Sequence, residues 1–409
     1  MRVLCVTNLF PNRFQPNRGV YNWKHFLTLQ QHAALRVVAP ILWTDELSAR
    51  RHGYRGLVTE VLQEWNGVPV VYPRYYYTPS CFRGNYGAFM KMSIARAFRQ
   101  AVAEFRPDVI YGTWAYPDGW AACRLAREFN LPVVVKVHGS DLFLLDDYPG
   151  RGPGTAEAMQ NADAIVGVGQ ALCDAAVKLG AHADRCHVVH EGTDTQLFCP
   201  GDQAEARRGL QLPPDLPRLL FVGNLVAVKR IDNLIAACRR LRDDGLAVEA
   251  DIIGEGPLKG ALQRPIDEAG LTHCIHLRGR MTPGELPAWY RAADVFVLPS
   301  DSEGVPNVLV EAAACGTPFV ATAVGCIPEI AHFVRSQLVP PNDAAALARG
   351  IRALLVECAP TTRMYDVANV PSVSDGVEAT MRVFSQVLAA RRDRSHQPAS
   401  SATPLGAEA

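Results

Sequence analysis

The sequence has no excess of charge of either sign. Lys plus Arg and Asp plus Glu each number 41 in 409 residues, so the formal net charge at pH 7 is zero. Proteins that bind nucleic acid as their main partner carry a basic excess or a basic stripe that meets the phosphates. The balance argues against a nucleic-acid partner and leaves room only for a local basic patch that meets anionic lipid.

Long apolar runs and paired cysteines are also missing. No uninterrupted apolar run approaches the roughly 20 residues of a membrane-spanning helix. The apolar start at 1–7 is too short for a signal peptide and lacks a cleavage site. The 11 cysteines include no C-x-x-C pair and no zinc-type spacing with histidine. We therefore expect a cytoplasmic protein with reduced thiols, neither secreted nor integral to the membrane.

Short β-branched runs alternate with helical patterns along most of the chain, as in βαβ units with parallel sheets. Predicted strands occupy 2–7, 35–39, 68–72, 109–111, 133–137, 164–168 and 187–190, and then 218–222, 250–253, 275–277, 295–298, 319–321 and 337–339. Predicted helices of the first series occupy 20–32, 86–105, 119–129 and 169–179. The two series predict an α/β protein with two facing doubly wound domains and a ligand cleft between them.

The chain length supports this division, because 409 residues exceed one ordinary domain. We expect a first domain at 1–200, a linker at 201–217 and a second domain at 218–370. A terminal helix at 371–390 is expected to pack back on the first domain. The segment 391–409, rich in Ser, Pro, Ala and Arg, is expected to be disordered.

The segment 299–316, PSDSEGVPNVLVEAAACG, is the strongest motif. It leaves a predicted strand, passes through a Gly/Pro loop and enters a helix near Pro306. Free backbone N–H groups at a helix start favour an anion. The carboxylates of Glu303 and Glu311 can accept hydrogen bonds from paired hydroxyls. The alternative is that Glu303 caps the helix and Glu311 is a surface residue.

This segment resembles the E-x7-E region of glycosyltransferase family 4, a retaining family with the GT-B fold, and the resemblance continues through 318–330. It implies that Glu303 faces the donor sugar and Glu311 the ribose hydroxyls. It also implies that backbone groups of Gly304, Val305, Pro306, Asn307 and Val308 face the sugar and the diphosphate.

The second motif, 220–234, places Lys229 near a helix start, where the helix dipole disfavours a cation unless an anion is bound there. The family has a lysine at the matching place, so the resemblance assigns Lys229 to the departing diphosphate. The family usually has an arginine five residues earlier, where this chain has Asn224. Asn224 is a candidate donor contact, and Lys229 as a solvated surface residue is the alternative.

The third motif, 133–143, runs from a strand into His138, Gly139, Ser140 and Asp141. The resemblance places His138 near the anomeric centre of the donor sugar. Asp141 is a weak candidate for a sugar or acceptor contact. The alternatives are a strand-end histidine bonded to a carbonyl and Asp141 as a helix N-cap.

Weaker candidates complete the predicted site. The resemblance implies that Gly19 approaches the diphosphate and that Arg280 and Met281 hold the nucleobase, and Arg18 is a weak acceptor or phosphate contact. The Gly-x-Gly at 254–256 has its third glycine one residue late for a dinucleotide fingerprint, so no nicotinamide or flavin is expected. GT-B enzymes generally work without a bound metal, so none is expected.

The resemblance therefore implies a retaining glycosyltransferase that uses a UDP- or GDP-sugar and a glycan or lipid-linked acceptor, in cell-surface polysaccharide or glycolipid assembly. The segments 75–77 and 86–105 form either an acceptor or membrane-surface face or an amphipathic core helix. Two other functions remain open, a GT-B-fold sugar-nucleotide epimerase and a non-catalytic nucleotide-sugar-binding protein.

Overall fold

The computed structural model describes residues 1–148, 150–357 and 367–396. Its strands are β1 (Arg2–Val6), β2 (Ala34–Val38), β3 (Ile41–Leu42), β4 (Thr59–Trp65), β5 (Val68–Tyr72), β6 (Arg74–Tyr75), β7 (Val109–Thr113), β8 (Val133–Val137), β9 (Ala164–Gly167), β10 (Cys186–Val188), β11 (Arg218–Val222), β12 (Glu249–Ile253), β13 (Ile275–Gly279), β14 (Val295–Leu298), β15 (Phe319–Thr322) and β16 (Ser336–Val339).

Helices connect most of these strands. They are α1 (Val20–Leu29), α2 (Trp43–Arg51), α3 (Tyr86–Phe105), α4 (Trp120–Arg127), α5 (Ser140–Phe143), α6 (Gly152–Asn161), α7 (Gln170–Lys178), α8 (Gln203–Gly209), α9 (Ile231–Asp243), α10 (Lys259–Glu268), α11 (Leu286–Ala292), α12 (Asn307–Ala314), α13 (Ile327–Ile330), α14 (Ala344–Glu357) and α15 (Val373–His396). The predicted α/β class is confirmed.

The first sheet has the order β10-β9-β8-β7-β1-β2-β5-β4. Every neighbouring pair is parallel except β4 with β5. Side chains alternate between the two faces, so Val3 and Cys5 enter one core and Leu4 and Val6 enter the other. Both faces are apolar because helices cover both sides of the sheet, as expected for a parallel sheet.

The second sheet is parallel throughout, with the order β13-β12-β11-β14-β15-β16. In each sheet the chain order reverses beside a central strand, β1 in the first and β11 in the second. Loops leave such a switch point in opposite directions and open a crevice at the carboxyl ends of the strands. Residues that follow β7, β8, β11, β13 and β14 all line one cleft between the sheets.

The segment expected as the linker, 201–217, contains α8. Asp202 caps this helix by accepting the Glu205 N–H at 2.6 Å. Arg207 then donates to the Ala292 carbonyl and to Asp294 on the second domain. These bonds fix α8 against the second domain, so the segment is structured rather than a free connection.

The terminal helix is longer than expected. Val377, Phe384 and Val387 of α15 are buried in the core between the first sheet and α1. The helix continues through His396, where the sequence predicts disorder from residue 391 onward. Arg391 donates to the Asn130 carbonyl at 2.6 Å, which ties this extra turn to the first domain. The remainder of the expected tail, 397–409, lies outside the described residues.

Candidate active site

The cleft between the two sheets has a main lobe of about 690 Å³ and an adjoining lobe of about 490 Å³. Most of the predicted site residues line it. The main lobe contains His138, Asn224, Lys229, Arg280, Met281, Glu303, Val305, Pro306, Asn307 and Val308, and the adjoining lobe adds Gly19 and Glu311. Residues scattered over most of the chain therefore meet in one place.

Lys229 and Glu303 form the central ion pair on the second-domain wall. Lys229 follows β11 and Glu303 follows β14, and these strands are neighbours in the sheet. The Lys229 Nζ donates to Glu303 Oε1 at 2.5 Å, and the side chains are only 18% and 10% exposed. A cation and a carboxylate thus lie together beside the loop that leads into α12.

The start of α12 and Glu311 continue this wall. Pro306 is the N-cap residue, and no side chain caps the helix. The first backbone N–H groups of α12 therefore lie without a side-chain partner at the end of the helix that meets the cleft. Glu311 Oε2 accepts a hydrogen bond from the Tyr290 hydroxyl at 2.8 Å. Burial raises the pKa of Glu311, and the Tyr290 hydroxyl and the charge of Lys24 oppose that rise.

Glycines bring the two domains into backbone contact beside the cleft. A Cβ on Gly304 would lie 1.9 Å from the His138 carbonyl oxygen, and one on Gly139 would lie 2.8 Å from Gly304 Cα. Gly139 also has φ of 137°, which L side chains rarely adopt. On the same interface, Glu329 of the second domain accepts the Gln170 and Ala171 N–H groups at the start of α7. These contacts hold the cleft closed on this side.

His138 projects into the cleft from the end of β8. Its Nε2 is buried and has no hydrogen-bond partner in the part of the chain that the structure describes. Burial lowers the pKa of His138; Glu191 and Asp141 work against that shift, and Lys136 adds to it. The Tyr21 and Trp114 rings flank the imidazole at centroid distances of 5.0 and 5.9 Å. A neutral ring with one free nitrogen can therefore hydrogen-bond a ligand hydroxyl.

Glu191 is a cleft residue that the sequence analysis missed. It follows β10 by three positions and accepts a hydrogen bond from Lys136, whose side chain is fully buried on β8. Burial alone would raise the pKa of Glu191, but lowering effects led by the charge of Lys136, which also donates a hydrogen bond, bring it to about 2. The available signal was its place beyond the carboxyl end of a parallel strand, where ligand-binding residues collect.

Two weak candidates do not line the cleft. Arg18 forms an ion pair with Asp45 at 2.7 Å and donates to the Asn8 carbonyl, so its guanidinium serves its own loop. Asp141 is buried, and its carboxylate accepts N–H groups of His138, Gly139 and Ala115. It orders the turn that presents His138 and does not cap the short helix α5.

Asn224 is exposed on both lobes, where the resemblance leads us to expect an arginine. Arg230 does not replace that charge, because it pairs with Asp232 and Asp301. Arg280 and Met281 lie beyond β13 on the far side of the main lobe. Among the described residues, no three His, Cys, Asp or Glu side chains group as metal ligands.

Two family models match the chain. The model described as Glycosyltransferase Family 4 matches residues 45–197, and the model described as Glycosyl transferases group 1 matches residues 216–357. The D-inositol 3-phosphate glycosyltransferase 1 of Catenulispora acidiphila is 32% identical over 300 residues, which are 68% of this chain and 72% of that relative. The chain belongs to glycosyltransferase family 4. Membership makes this family 4 glycosyltransferase a transferase, and the epimerase and the non-catalytic binding protein are set aside.

Other relatives span more of this family 4 glycosyltransferase. Bacillus subtilis TuaC, whose name provisionally assigns it to teichuronic acid biosynthesis, is 28% identical over 366 residues, covering 86% of this chain and 88% of TuaC. The D-inositol 3-phosphate glycosyltransferase of Thermobifida fusca is 33% identical over 312 residues, covering 71% of this chain and 70% of that relative.

Solved structures show the fold of the family 4 glycosyltransferase. Sucrose-phosphate synthase from Thermosynechococcus elongatus superposes with a TM-score of 0.69 at 21% identity, covering 96% of this chain and 98% of the other. Anabaena HepE in complex with UDP-glucose gives 0.67 at 17% identity, covering 96% and 100%. The predicted GT-B fold is confirmed. Within the described residues, no helix is both long enough and apolar enough to cross a membrane.

Proposed function

We propose that this family 4 glycosyltransferase transfers a sugar from a UDP- or GDP-sugar to an acceptor hydroxyl and retains the anomeric configuration. The observation that carries the proposal is the Lys229–Glu303 pair beside the uncapped start of α12. A cation next to free backbone N–H groups suits a diphosphate, and a carboxylate beside it suits sugar hydroxyls. The structure of HepE with UDP-glucose supports a nucleotide-sugar donor in this fold.

Donor binding uses the second-domain wall. Lys229 and the first N–H groups of α12 bind the diphosphate and neutralise the charge that develops as it departs. Glu303 accepts hydrogen bonds from the sugar, and Glu311 accepts them from the ribose hydroxyls. Arg280 and Met281 contact the base through their backbone. His138 hydrogen-bonds a hydroxyl of the sugar from the opposite wall through its free Nε2.

Transfer proceeds on the face from which the diphosphate leaves. The anomeric C–O bond to phosphate breaks, and a bond from the anomeric carbon to the acceptor oxygen forms. The departing phosphate oxygen takes the acceptor proton, so no protein group has to act as a base. The closed contact between Gly139 and Gly304 keeps water from the anomeric carbon and limits hydrolysis.

The acceptor we propose is a glycan or lipid-linked sugar used in cell-surface polysaccharide or glycolipid assembly. The name of the TuaC relative supports a polysaccharide role. Phe82, which precedes α3, and Met92 on α3 are exposed, and Arg96 on α3 is 85% exposed and paired with Glu60. This surface supports peripheral contact with the cytoplasmic face of a membrane, through apolar side chains and charge.

A thermal-shift screen of the purified protein against UDP-, GDP-, ADP- and dTDP-sugars tests the donor class. A ligand at 100 times its dissociation constant stabilises the fold by about 2.7 kcal/mol. We expect a shift with a UDP- or GDP-sugar, and we expect NMR of the transfer product to show the donor's anomeric configuration. A protein that no nucleotide sugar stabilises, or a product of inverted configuration, contradicts the proposal.

A further inference from the structure

The first-domain wall of the cleft carries polar and aromatic groups that donor binding leaves unassigned. Glu191, Tyr21 and Trp114 line the main lobe opposite Lys229 and Glu303. The donor contacts proposed above lie almost entirely on the second-domain wall. A transferase needs a second substrate in the same cleft, so this wall is where an acceptor can be held.

Lys136 fixes the position of Glu191. The Lys136 side chain is fully buried in the first sheet, and its ammonium donates to Glu191 Oε1. The Glu191 side chain is 17% exposed, so the carboxylate is the member of the pair that reaches the cleft. Within the described ranges, no group other than the Lys136 ammonium donates a hydrogen bond to this carboxylate. One carboxylate oxygen is therefore held in place while the other can accept a hydrogen bond.

The charge of Glu191 determines its chemistry. The lowered pKa of about 2 keeps the carboxylate ionised at every physiological pH. A carboxylate this acidic and paired with an ammonium is a poor proton acceptor and a weak nucleophile. It remains a strong acceptor of hydrogen bonds from hydroxyl groups. Its fixed negative charge opposes a phosphate or carboxylate at the same point.

The neighbouring aromatic rings suit a sugar ring. Tyr21 and Trp114 both lie beside His138, with ring-centroid distances of 5.0 and 5.9 Å to the imidazole. Aromatic rings offer flat apolar surface at low conformational cost, and the C–H face of a pyranose or cyclitol can pack on them. A ring-binding surface and an acceptor of hydroxyl hydrogen bonds thus share one wall.

We propose that Glu191, Tyr21 and Trp114 form an acceptor subsite for a neutral ring rich in hydroxyl groups. The subsite rests on the proposed function, since it presumes that the opposite wall holds the donor. It gives the acceptor a chemical class: the group bound beside the reaction centre is an uncharged sugar or cyclitol. A phosphate on the acceptor, where there is one, lies away from Glu191.

Ligand-observed NMR titrations of the nucleotide-saturated protein test the subsite. The neutral probes are methyl α-D-glucopyranoside and myo-inositol, and the anionic probes are glucose 6-phosphate and inositol 1-phosphate. The variants are Glu191→Gln and the double variant Lys136→Met/Glu191→Gln, which avoids a lone buried ammonium. The control is Glu157→Gln, which neutralises a carboxylate on α6 outside the cleft.

The wild type is expected to bind the neutral probes more tightly than the anionic ones. Both Glu191 variants are expected to bind the neutral probes roughly 10-fold more weakly, as for loss of a charged hydrogen-bond acceptor. In Glu191→Gln the unpaired Lys136 attracts anions, so the anionic probes gain affinity. The double variant lacks that charge and shows no such gain, and the control matches the wild type. A purely structural role for Glu191 would not reverse the charge preference.

Three results with the neutral and anionic probes overturn the subsite. They are neutral-probe affinities that both variants leave unchanged, a wild type that binds the anionic probes as well as the neutral ones, and no neutral-probe binding at all. A Glu191→Gln variant that weakens UDP-glucose relative to UDP places the residue on the donor sugar and also refutes it. Absence of any nucleotide binding contradicts the proposed function instead, and titration of the nucleotide-free protein then decides the subsite.

Discussion

Lys229 Nζ lies 2.5 Å from Glu303 Oε1, so the cation proposed for the diphosphate is paired with the carboxylate proposed for the sugar. The two residues are 74 positions apart and meet because β11 and β14 are adjacent. In this partly buried pair, the Lys229 ammonium and the Glu303 carboxylate neutralise each other's charge. We propose that donor binding exchanges these partners, so that a phosphate replaces Glu303 beside Lys229 and sugar hydroxyls replace Lys229 beside Glu303.

Replacement of Lys229 by alanine tests the phosphate half of this exchange. We expect Lys229→Ala to weaken UDP or GDP binding by roughly 10- to 100-fold, the usual effect of losing one charged hydrogen bond. Isothermal titration with the nucleotide measures this directly. Lys178→Ala removes an exposed lysine on α7 and should bind like the wild type. Equal affinity in Lys229→Ala and the wild type would remove Lys229 from the donor site.

The Glu303→Gln variant separates the sugar from the phosphate. Lys229 loses its competing carboxylate, so affinity for the free nucleotide should stay the same or increase. The glutamine accepts sugar hydrogen bonds less strongly, so we expect the transfer rate to fall roughly 10- to 100-fold. Titration with nucleotide and a rate measurement on the same preparation supply both numbers. A loss of nucleotide affinity as large as the loss of rate would argue against this division.

The fold was predictable wherever the local pattern and the packing agree. Strands at Val68–Tyr72, Val133–Val137, Arg218–Val222 and Val295–Leu298 and the helix at Tyr86–Phe105 have the predicted bounds. The strands are short, mainly apolar runs buried on both faces. The helix buries Met90, Ile94, Phe98 and Ala101 at the spacing of one helical face.

The elements that were missed lack such a pattern. The edge strand Thr59–Trp65 is mostly exposed and pairs on one side only, so it has no apolar alternation. The helix Gly152–Asn161 begins with Gly-Pro-Gly, which is typical of a turn. Its burial against the first domain, at Thr155, Ala158 and Met159, depends on tertiary packing that the local sequence does not encode.

The residues of the site also fall into those that a local motif could predict and those that it could not. Glu303 and Glu311 share one continuous motif and Lys229 lies in another, so resemblance to the family could predict them. The Lys136–Glu191 pair joins residues 55 positions apart across two strands that are not adjacent in the sheet. Only the strand order brings them together, so local reading of the sequence could not pair them.

Gly304 provides a test of the contact between the domains. A Cβ at this position would lie 1.9 Å from the His138 carbonyl oxygen, which forces the two loops apart. We expect Gly304→Ala to lower the transfer rate by about 100-fold, since a displacement near 1 Å has such an effect on reacting groups. Nucleotide affinity should change little because Lys229 stays in place.

The matched control is Gly260→Ala on α10, where an added Cβ meets no atom within 4 Å. Its rate should equal that of the wild type. Rates and nucleotide affinities of both variants are measured under the same conditions. A Gly304→Ala enzyme with full activity would show that the close backbone contact is not needed for transfer.

Glu311 can be tested through the ribose rather than through loss of activity. The wild type should prefer UDP over 2′-deoxy-UDP by roughly 10-fold if this carboxylate accepts a ribose hydroxyl. In Glu311→Gln the preference should shrink, while the amide oxygen still accepts the Tyr290 hydroxyl and preserves the packing. The four dissociation constants form a double-mutant cycle. Glu268→Gln on α10 is the control, and an unchanged preference in Glu311→Gln would exclude the ribose contact.

The pH dependence of stability tests the neutral state of His138. Burial lowers its pKa in the folded protein, whereas an unfolded histidine titrates near pH 6.5. Below about pH 6.5 the unfolded chain therefore binds a proton that the folded chain does not. The free energy of unfolding consequently decreases as the pH is lowered. Burial also lowers the pKa of His25, which adds to the loss. Burial raises the pKa of Asp118 to about 7, which acts in the opposite direction.

Because these groups overlap, the difference between two variants is the informative quantity. Between pH 7.5 and 5.5 we expect the wild type to lose about 1 kcal/mol more stability than His138→Gln, whose side chain cannot be protonated. Glu191 does not contribute in this window, since its pKa of about 2 keeps it ionised. Urea denaturation at constant ionic strength gives the four free energies. His32→Gln replaces an exposed histidine and should follow the wild type. A His138→Gln that also follows it would mean that His138 is protonated in the folded protein.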